Sequence, residues 1–387
     1  MSATLMLPTW DGELQAWTPS GSPHVPASGR TSTSRTAYAA VHVVADPLSP
    51  VDPAQRATLD WGATMAFRHH IWSCGLGVAE AMDTAQRGMG LDWPTTRELI
   101  VRTGAEAAAV GGAWCAGVGT DQLPPGPATV DDVVAAWREQ LAVVSAAGGV
   151  PVIMASRSLA ATAQGPDDYH RAYGKLLAEA ERPVLLHWLG EPFDPTLASY
   201  WGHRDVPDAA RELLALCRDH ERVVAGVKVS VLDADLEVGF RRELPTTVAC
   251  YTGDDFSFPQ LIGGDASGHS DALLGIFDPI ATVASAALDR LDGGDVATFR
   301  ELLEPAVPLS REIFRAPTPH YKVGVVFLGY LSGHQRHFRM VGGLESARSI
   351  VHLAAVLRLA DAAGLFPDPE RAVARMRPLL AAAGIDG

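Results

Sequence analysis

The feature that most constrains the fold of this chain is an eightfold alternation of short apolar segments with longer segments of helical periodicity. The short segments are rich in β-branched or other apolar residues and span 37–44, 71–77, 108–119, 149–155, 183–189, 223–231, 246–251 and 272–276. Strands that alternate with helices are typical of a parallel sheet. Eight such units in ~250 residues favour a closed barrel over an open sheet. We therefore predict an α/β fold, a (β/α)8 TIM barrel.

The two flanks of the predicted barrel differ from it in composition. Residues 1–35 are rich in Ser, Thr, Pro and Gly and lack periodicity, which predicts an N-terminal arm. The barrel is expected to span 36–280. Residues 281–387 contain helical segments without clear strands between them, so we predict a C-terminal helical extension and not a second α/β domain.

Charge and composition exclude several classes of protein. The net charge of −14 argues against a nucleic-acid partner, because phosphate contacts need clustered Lys and Arg. The sequence shows no signal peptide and no apolar run of ~18 residues, so no membrane partner is expected. The four cysteines lack the spacing of a zinc site, which indicates reduced thiols in a cytoplasmic protein. No metal or other cofactor is predicted.

Lys228 is the strongest candidate for a reactive residue. It lies in the apolar run 223–230, and it is one of only three lysines in the chain, with Lys175 and Lys322. Burial disfavours the charged form of a lysine, so the pKa is expected to fall. A neutral amine is a nucleophile toward carbonyl groups. The alternative is an ammonium group that pairs with a neighbouring carboxylate.

His187 ends the preceding predicted strand, in the run 183–190. A histidine at this position can transfer protons near neutral pH. The alternative is a hydrogen-bonded histidine of the core.

A glycine-rich segment, 75–83, follows the second predicted strand and contains Gly75, Gly77, Glu80 and Asp83. Glycines let a backbone approach a ligand closely, and the two acids are candidates for contacts with substrate. The alternative is an ordinary turn whose acids cap the next helix.

The seventh predicted strand ends in Tyr251-Thr252-Gly253-Asp254-Asp255. Paired acids at this position are candidates for binding a sugar hydroxyl or a metal, or for capping a helix. Tyr251, Asp254 and Asp255 are therefore included in the predicted substrate site.

Taken in order, these segments resemble the dihydrodipicolinate synthase/N-acetylneuraminate lyase family, whose members are Schiff-base aldolases, dehydratases and lyases of 2-keto acids. Gly226-Val227-Lys228 matches the family's G-[IV]-K motif, whose lysine forms the Schiff base. Residues 251–255 resemble its sGdD segment, and 111–120 its third strand. Lys322, Gly329 and residues 336–340 resemble its late helical stretch. The resemblance implies a barrel, a catalytic role for Lys228 and a homo-oligomer.

The chain also departs from that family's pattern. The family's G-T-T-G-E loop is absent from segment 75–83. His187 stands where the family has the tyrosine of its Y-N-x-P motif, and no arginine follows it closely. The departures indicate a remote branch with its own substrate.

We therefore predict a Schiff-base lyase or aldolase that acts on a small polar carbonyl compound, either a keto acid or a sugar-derived ketone. Lys228 would attack the carbonyl and His187 would be the general acid/base. Residues predicted to bind the substrate are Gly75, Gly77, Glu80, Asp83, Tyr251, Asp254 and Asp255.

Two alternatives stay open at this point. The first is a metal-dependent barrel isomerase or lyase with ligands among Glu80, Asp83, His187 and Asp254 or Asp255. The second is a ligand-binding protein of the same fold that has no catalytic activity.

Overall fold

The computed structural model of the protein describes residues 4–124 and 128–385. The strands are β1 Leu5–Pro8, β2 Leu14–Trp17, β3 Ala37–Ala40, β4 Gly77–Glu80, β5 Trp114–Val118, β6 Val150–Ile153, β7 Val184–Leu189, β8 Val224–Ser230, β9 Ala249–Thr252 and β10 Asp271–Leu274. Strands β3 to β10 pair in parallel in chain order, and β10 pairs with β3 to close the barrel. The predicted (β/α)8 barrel is confirmed.

Helices fill the connections between the strands of the barrel and continue after β10. They are α1 Trp61–Ser73, α2 Trp93–Val110, α3 Val130–Ala146, α4 Arg157–Thr162, α5 Pro166–Ala178, α6 Val206–Asp219, α7 Ala234–Glu243, α8 Phe258–Gly263, α9 Ala281–Asp292, α10 Val296–Leu303, α11 Ala306–Ile313, α12 Tyr321–Ser332, α13 Ile350–Ala362 and α14 Pro369–Ala382. No helix among the described residues is long and apolar enough to cross a membrane.

The second strand of the barrel lies later in the chain than the sequence predicts. The segment 71–77 was expected to be a strand, but its first three residues form the end of α1, and β4 begins only at Gly77. The Asp60 side chain accepts a hydrogen bond from the backbone N–H of Ala63 and so fixes the start of α1. Because of this shift, Gly75 and Gly77 lie at the amino end of the barrel strand and not at its carboxyl end.

Alternation along the strands separates the barrel interior from the surface that packs on the helices. Tyr38, Ala79, Cys115, Leu185 and Tyr251 belong to the apolar cluster inside the barrel. The alternate residues, such as Val78 and Val227, belong to the larger cluster between the barrel and the surrounding helices. Successive residues of a strand face opposite sides of the sheet, so the direction of each site residue follows from its position in its strand.

The region after β10 is helical, as predicted, and α12 lies at its centre. Eleven of the twelve residues of α12 are buried, and it contacts α11, α13 and α14. A helix that is apolar on all faces is a buried helix. The helix therefore brings its first residue, Tyr321, into the protein interior, where it is 4% exposed.

The N-terminal segment contains an antiparallel hairpin, β1 with β2, which the sequence analysis did not predict. The guanidinium of Arg358 in α13 donates hydrogen bonds to the carbonyls of Leu7 and Pro8 at 3.0 Å. The segment is thus attached to the helical extension. The proposed limits at 35/36 and 280/281 stay predictions, and residues 1–3 and 386–387 of the two flanks lie outside the described residues.

Candidate active site

Lys228 lies inside the barrel near the carboxyl end of β8. Gly226, Lys228 and Ser230 alternate with residues that pack against the helices, so the lysine side chain points inward. Gly253, just after β9, makes room for it, because a Cβ at this glycine would lie 2.8 Å from Lys228 Cε. The site therefore needs a residue without a side chain at position 253.

A small cavity of about 20 Å³ surrounds the lysine at the carboxyl end of the barrel. Its residues come from five barrel strands or their loops and from the extension: Met82, Asp83, Thr84, Leu189, Phe193, Lys228, Ser230, Asp255, Gly275 and Tyr321. The carboxyl ends of the strands are where (β/α)8 enzymes carry their catalytic groups. Of the predicted residues, Lys228, Asp83 and Asp255 meet in this cavity.

Burial in the cavity shifts Lys228 toward its neutral amine form. Burial lowers the pKa of Lys228, while the carboxylates of Asp255 and Asp83 act in the opposite direction. Burial also raises the pKa of Asp255 to about 7. The hydrogen bond that its carboxylate accepts from the backbone N–H of Ile276 at 2.9 Å lowers this pKa, but by less than burial raises it. Burial therefore shifts both groups toward their neutral forms.

His187 faces the barrel interior but reaches the cavity only through Ser230. It is the register partner of Lys228 in the β7–β8 pairing, and its Nε2 lies 3.1 Å from Ser230 Oγ. Burial and the nearby Lys228 lower its pKa well below the usual value, so the ring is neutral. Its Nδ1 has no hydrogen-bond partner within the described residues.

Asp254 and Tyr251 do not line the cavity. The Asp254 carboxylate accepts hydrogen bonds from the backbone N–H groups of Phe256 and Ser257 at 2.8 and 2.9 Å, so it stabilises its own turn before α8 and does not cap that helix. The Tyr251 ring packs against Tyr38 with ring centroids 6.3 Å apart. It fills the barrel on the amino side of the lysine, and a Cβ at Gly226 would lie 2.7 Å from it.

Glu80 faces the helices and not the barrel interior. The guanidinium of Arg68 in α1 donates two hydrogen bonds to its carboxylate at 2.8 and 2.9 Å. A third comes from the Thr103 hydroxyl at 2.6 Å. Both charged side chains are fully buried. Since its oxygens are already occupied, Glu80 is not part of the proposed site.

Gly75 and Gly77 lie at the opposite end of the barrel from Lys228. They line a cavity of about 370 Å³ together with Thr31, Arg35 and Trp72. Gly75 has a φ of +76° and lies against the backbone of Arg30, and a Cβ at Gly77 would lie 2.5 Å from the Tyr38 ring. Both glycines are explained by chain packing, so they are left out of the proposed substrate site.

Several residues of the cavity were missed by the sequence analysis. Ser230 could have been found, because it lies two residues after Lys228 and so shares its face of the strand. Thr84 follows Asp83 directly in a short 3-10 helix. Tyr321 comes from the extension, where no local pattern in the sequence connects it with the barrel.

A second buried lysine, Lys322, lies next to the cavity. Its ammonium donates hydrogen bonds to the Pro319 carbonyl and Met89 Sδ, both at 3.1 Å. Burial lowers its pKa to about 8, and the largest opposing influence is Asp83. Asp83 therefore acts on both buried lysines, since it also opposes the fall in the pKa of Lys228.

A larger open cavity of about 460 Å³ lies beside the small one and shares Asp83 with it. Its polar residues include Arg87, Thr120, Arg157 and Ser158. The Arg87 guanidinium is already paired with Asp121 and Gln140. Arg157 is half exposed and contacts Asp194 through Nε.

The described residues contain no group of three or more His, Cys, Asp or Glu side chains placed to hold a metal ion. Of the four proposed metal ligands, Glu80 is bound to Arg68 outside the barrel. The four cysteines are buried as free thiols.

Comparison with solved structures defines the class of fold. Dihydrodipicolinate synthase from Thermotoga maritima superposes with a TM-score of 0.65 at 12% identity, covering 86% of this chain and 99% of that one. The enzyme from Aquifex aeolicus superposes with a TM-score of 0.59 at 13% identity, and the match covers 91% of this chain and 98% of that one. YagE of E. coli K12 is a prophage protein of the dihydrodipicolinic acid synthase family that was solved in complex with pyruvate. It superposes with a TM-score of 0.60 at 13% identity, and the match covers 91% of this chain and 99% of that one. The chain has the fold of this family, as the resemblance predicts.

The sequence itself leads to a different group of proteins. A search of curated proteins finds no significant match. Residues 5–385 match the family described as "Protein of unknown function (DUF993)". The chain belongs to this family.

Proposed function

We propose that this protein is a Schiff-base lyase or aldolase that uses Lys228 as its nucleophile. The observation that carries the proposal is the placement of a buried lysine with a lowered pKa among Asp255, Asp83 and Ser230 at the carboxyl end of the barrel. Buried titratable groups with opposed shifts are typical of catalytic sites. The fold shared with dihydrodipicolinate synthases supports the same chemistry.

The reaction would begin with attack of the neutral Lys228 amine on a carbonyl carbon. Loss of water from the adduct gives an iminium ion, which accepts the electron pair of a bond broken at the neighbouring carbon. Asp255 takes the proton of the Lys228 ammonium and leaves the amine free to attack. His187, acting through the Ser230 hydroxyl, accepts or returns the proton at the substrate carbon. A general acid/base contributes roughly 10²–10⁴ in rate.

The substrate would be a small polar keto acid or sugar-derived ketone. The cavity at Lys228 has room for about one water molecule, so the carbonyl end of a substrate must displace side chains. Met82 is the most adaptable of them, because its side chain is unbranched and flexible. The rest of the substrate would lie past Asp83 in the larger cavity, where Thr120, Ser158 and Arg157 offer hydrogen-bonding groups.

The experiment that tests this proposal is proton exchange at the carbon next to the carbonyl. The protein is incubated in D2O with pyruvate, 2-oxobutyrate or dihydroxyacetone, and the loss of the proton signal is followed by NMR. We expect exchange that resists a chelator, disappears in Lys228→Met and persists in the surface control Lys175→Arg. Exchange that survives Lys228→Met but stops with the chelator would support the metal-dependent alternative and contradict the proposal.

A further inference from the structure

Tyr321, at the start of α12, lines the Lys228 cavity although it belongs to the helical extension, and its hydroxyl contacts Thr84, another residue of the cavity. We infer that Tyr321 is a catalytic proton donor in iminium formation, with the Thr84 hydroxyl as its partner. This inference rests on the proposed function, and it assigns an active-site role to the C-terminal extension. The barrel and the extension would then form a single catalytic unit.

Packing fixes the position of the Tyr321 ring. The ring stacks on Phe314, with centroids 4.3 Å apart and an interplanar angle of 13°. On the barrel side it lies over Gly275, where a Cβ would be 3.3 Å from Tyr321 Cε2 and 3.1 Å from Phe314 Cζ. Both contacts leave the ring little freedom, so its hydroxyl is held at the carboxyl end of the barrel.

Thr84, the partner of the Tyr321 hydroxyl, is also fixed in position by the surrounding structure. The Tyr321 and Thr84 hydroxyl oxygens are 2.8 Å apart, and either can donate. Thr84 is 1% exposed and lies in the turn between Ala81 and Gln86, which have φ values of +51° and +67°. Such backbone conformations are costly for residues other than glycine and are frequent at functional sites. The turn places Thr84 and Asp83 side by side at the cavity.

The surrounding charges keep the tyrosine hydroxyl protonated. Burial raises its pKa well above the usual value, and Asp83, Asp255 and Asp278 add to this effect, against the hydrogen bond with Thr84. The Lys322 ammonium lies 4.9 Å from the centre of the Tyr321 ring. A phenol that keeps its proton throughout the working range can donate it when negative charge develops on a substrate oxygen.

Tyr321 would act in the dehydration step of iminium formation at Lys228. The Lys228 amine bonds to the carbonyl carbon, and one of its protons moves to the former carbonyl oxygen to give the neutral carbinolamine. Tyr321 then gives its proton to that hydroxyl group, the carbon–oxygen bond breaks, and water leaves as the carbon–nitrogen double bond forms. The phenolate regains a proton from solvent through Thr84. The net reaction is amine plus carbonyl plus one proton to iminium plus water.

The test separates the rate of iminium formation from its final extent. The full-length protein is mixed with pyruvate or 2-oxobutyrate, and samples are reduced with borohydride at increasing times. Intact-mass spectrometry then gives the fraction of protein that carries the reduced adduct in each sample. In Tyr321→Phe we expect the rate of adduct formation to fall on the order of 10²-fold, while the extent at long times matches the unaltered protein. A purely structural role would instead lower the extent together with the folded fraction.

Two variants provide the controls. Tyr330→Phe changes the other tyrosine of α12, whose hydroxyl donates to the Arg375 carbonyl away from the cavity, and should react at the normal rate. Thr84→Val should slow the reaction, and Thr84→Ser should restore it, which keeps the inference testable if Tyr321→Phe does not fold. A normal rate in Tyr321→Phe or in Thr84→Val overturns this inference alone. Absence of any adduct in the unaltered protein overturns the proposed function as well.

Discussion

The two ends of the barrel carry cavities of very different size and chemistry. The cavity at the amino end, around Gly75 and Gly77, is about 370 Å³, whereas the one at Lys228 is about 20 Å³. Only the smaller one brings a buried lysine together with two acids and a tyrosine hydroxyl. The cavity at the amino end is lined by the Tyr38 ring and by glycines that admit close chain packing. The chemistry of the lining, and not the cavity volume, is therefore the basis on which we propose the site at Lys228.

The largest effect is expected from the nucleophile itself. Lys228→Met should lower turnover on the order of 10⁴-fold or more, because loss of a covalent nucleophile removes the route through the iminium. Steady-state kinetics on the best compound of the exchange experiment would measure it. Lys322→Met is the matched buried control, and if it abolished activity while Lys228→Met did not, the nucleophile would have been assigned to the wrong lysine.

The pH dependence should follow Asp255, whose pKa is raised to about 7. The acid holds its proton below that value and cannot accept one from Lys228, so kcat/KM should fall as the pH drops through about 7. Asp255→Asn should lower the plateau by roughly 10²–10⁴. It should also remove the acid limb near pH 7, since the carboxyl group that titrates there is gone. An unchanged profile in Asp255→Asn would remove this residue from the mechanism.

A pair of glycines tests the comparison of the two ends directly. Gly253→Ala places a methyl group against Lys228 Cε, and a displacement of about 1 Å can cost ~10²-fold in rate. Gly77→Ala places one against the Tyr38 ring at the other end, which should lower the free energy of unfolding by about 1–3 kcal/mol with near-normal kcat. Steady-state kinetics would measure kcat for both variants, and chemical denaturation would measure their free energies of unfolding. Equal losses of kcat would contradict the proposed difference between the two ends of the barrel.

The smallest effect on activity is expected at Glu80. Glu80→Gln leaves the buried Arg68 charge without its carboxylate, so the free energy of unfolding should fall by about 3–5 kcal/mol. The kcat per folded molecule should stay within about twofold of normal, a difference well under 1 kcal/mol in the barrier. Thermal unfolding together with titration of active sites would measure both. A large loss of kcat in folded Glu80→Gln would return this residue to the active site.

The barrel and the inward-facing lysine of β8 could be predicted from the sequence because both depend on local patterns. Eight apolar segments separated by helical ones indicate the closed sheet, and a lysine in the apolar run of β8 is unusual in any strand. Gly75, Gly77 and Glu80 lie away from the Lys228 cavity because the second strand of the barrel begins later than predicted, after the end of α1. Its last turn, 71–73, is as apolar as a strand, and short apolar runs do not distinguish the two.

The rest of the site depends on contacts between distant parts of the chain. Tyr321 meets Thr84 across 237 residues, and no periodicity within either segment predicts that contact. Asp254 and Asp255 are neighbours in sequence, but one accepts hydrogen bonds from its own turn and the other faces the cavity. The turn after β9, and not the residue type, decides which of these two acids faces the cavity.

The most direct test of the central claim is to locate the reduced adduct among the three lysines. The protein is treated with 2-oxobutyrate and borohydride, digested, and mapped by mass spectrometry, with Lys175 and Lys322 as internal controls. We expect one added group per chain, on Lys228, and none in Lys228→Met. An adduct confined to Lys322 or Lys175, or an equal yield in Lys228→Met, would contradict it.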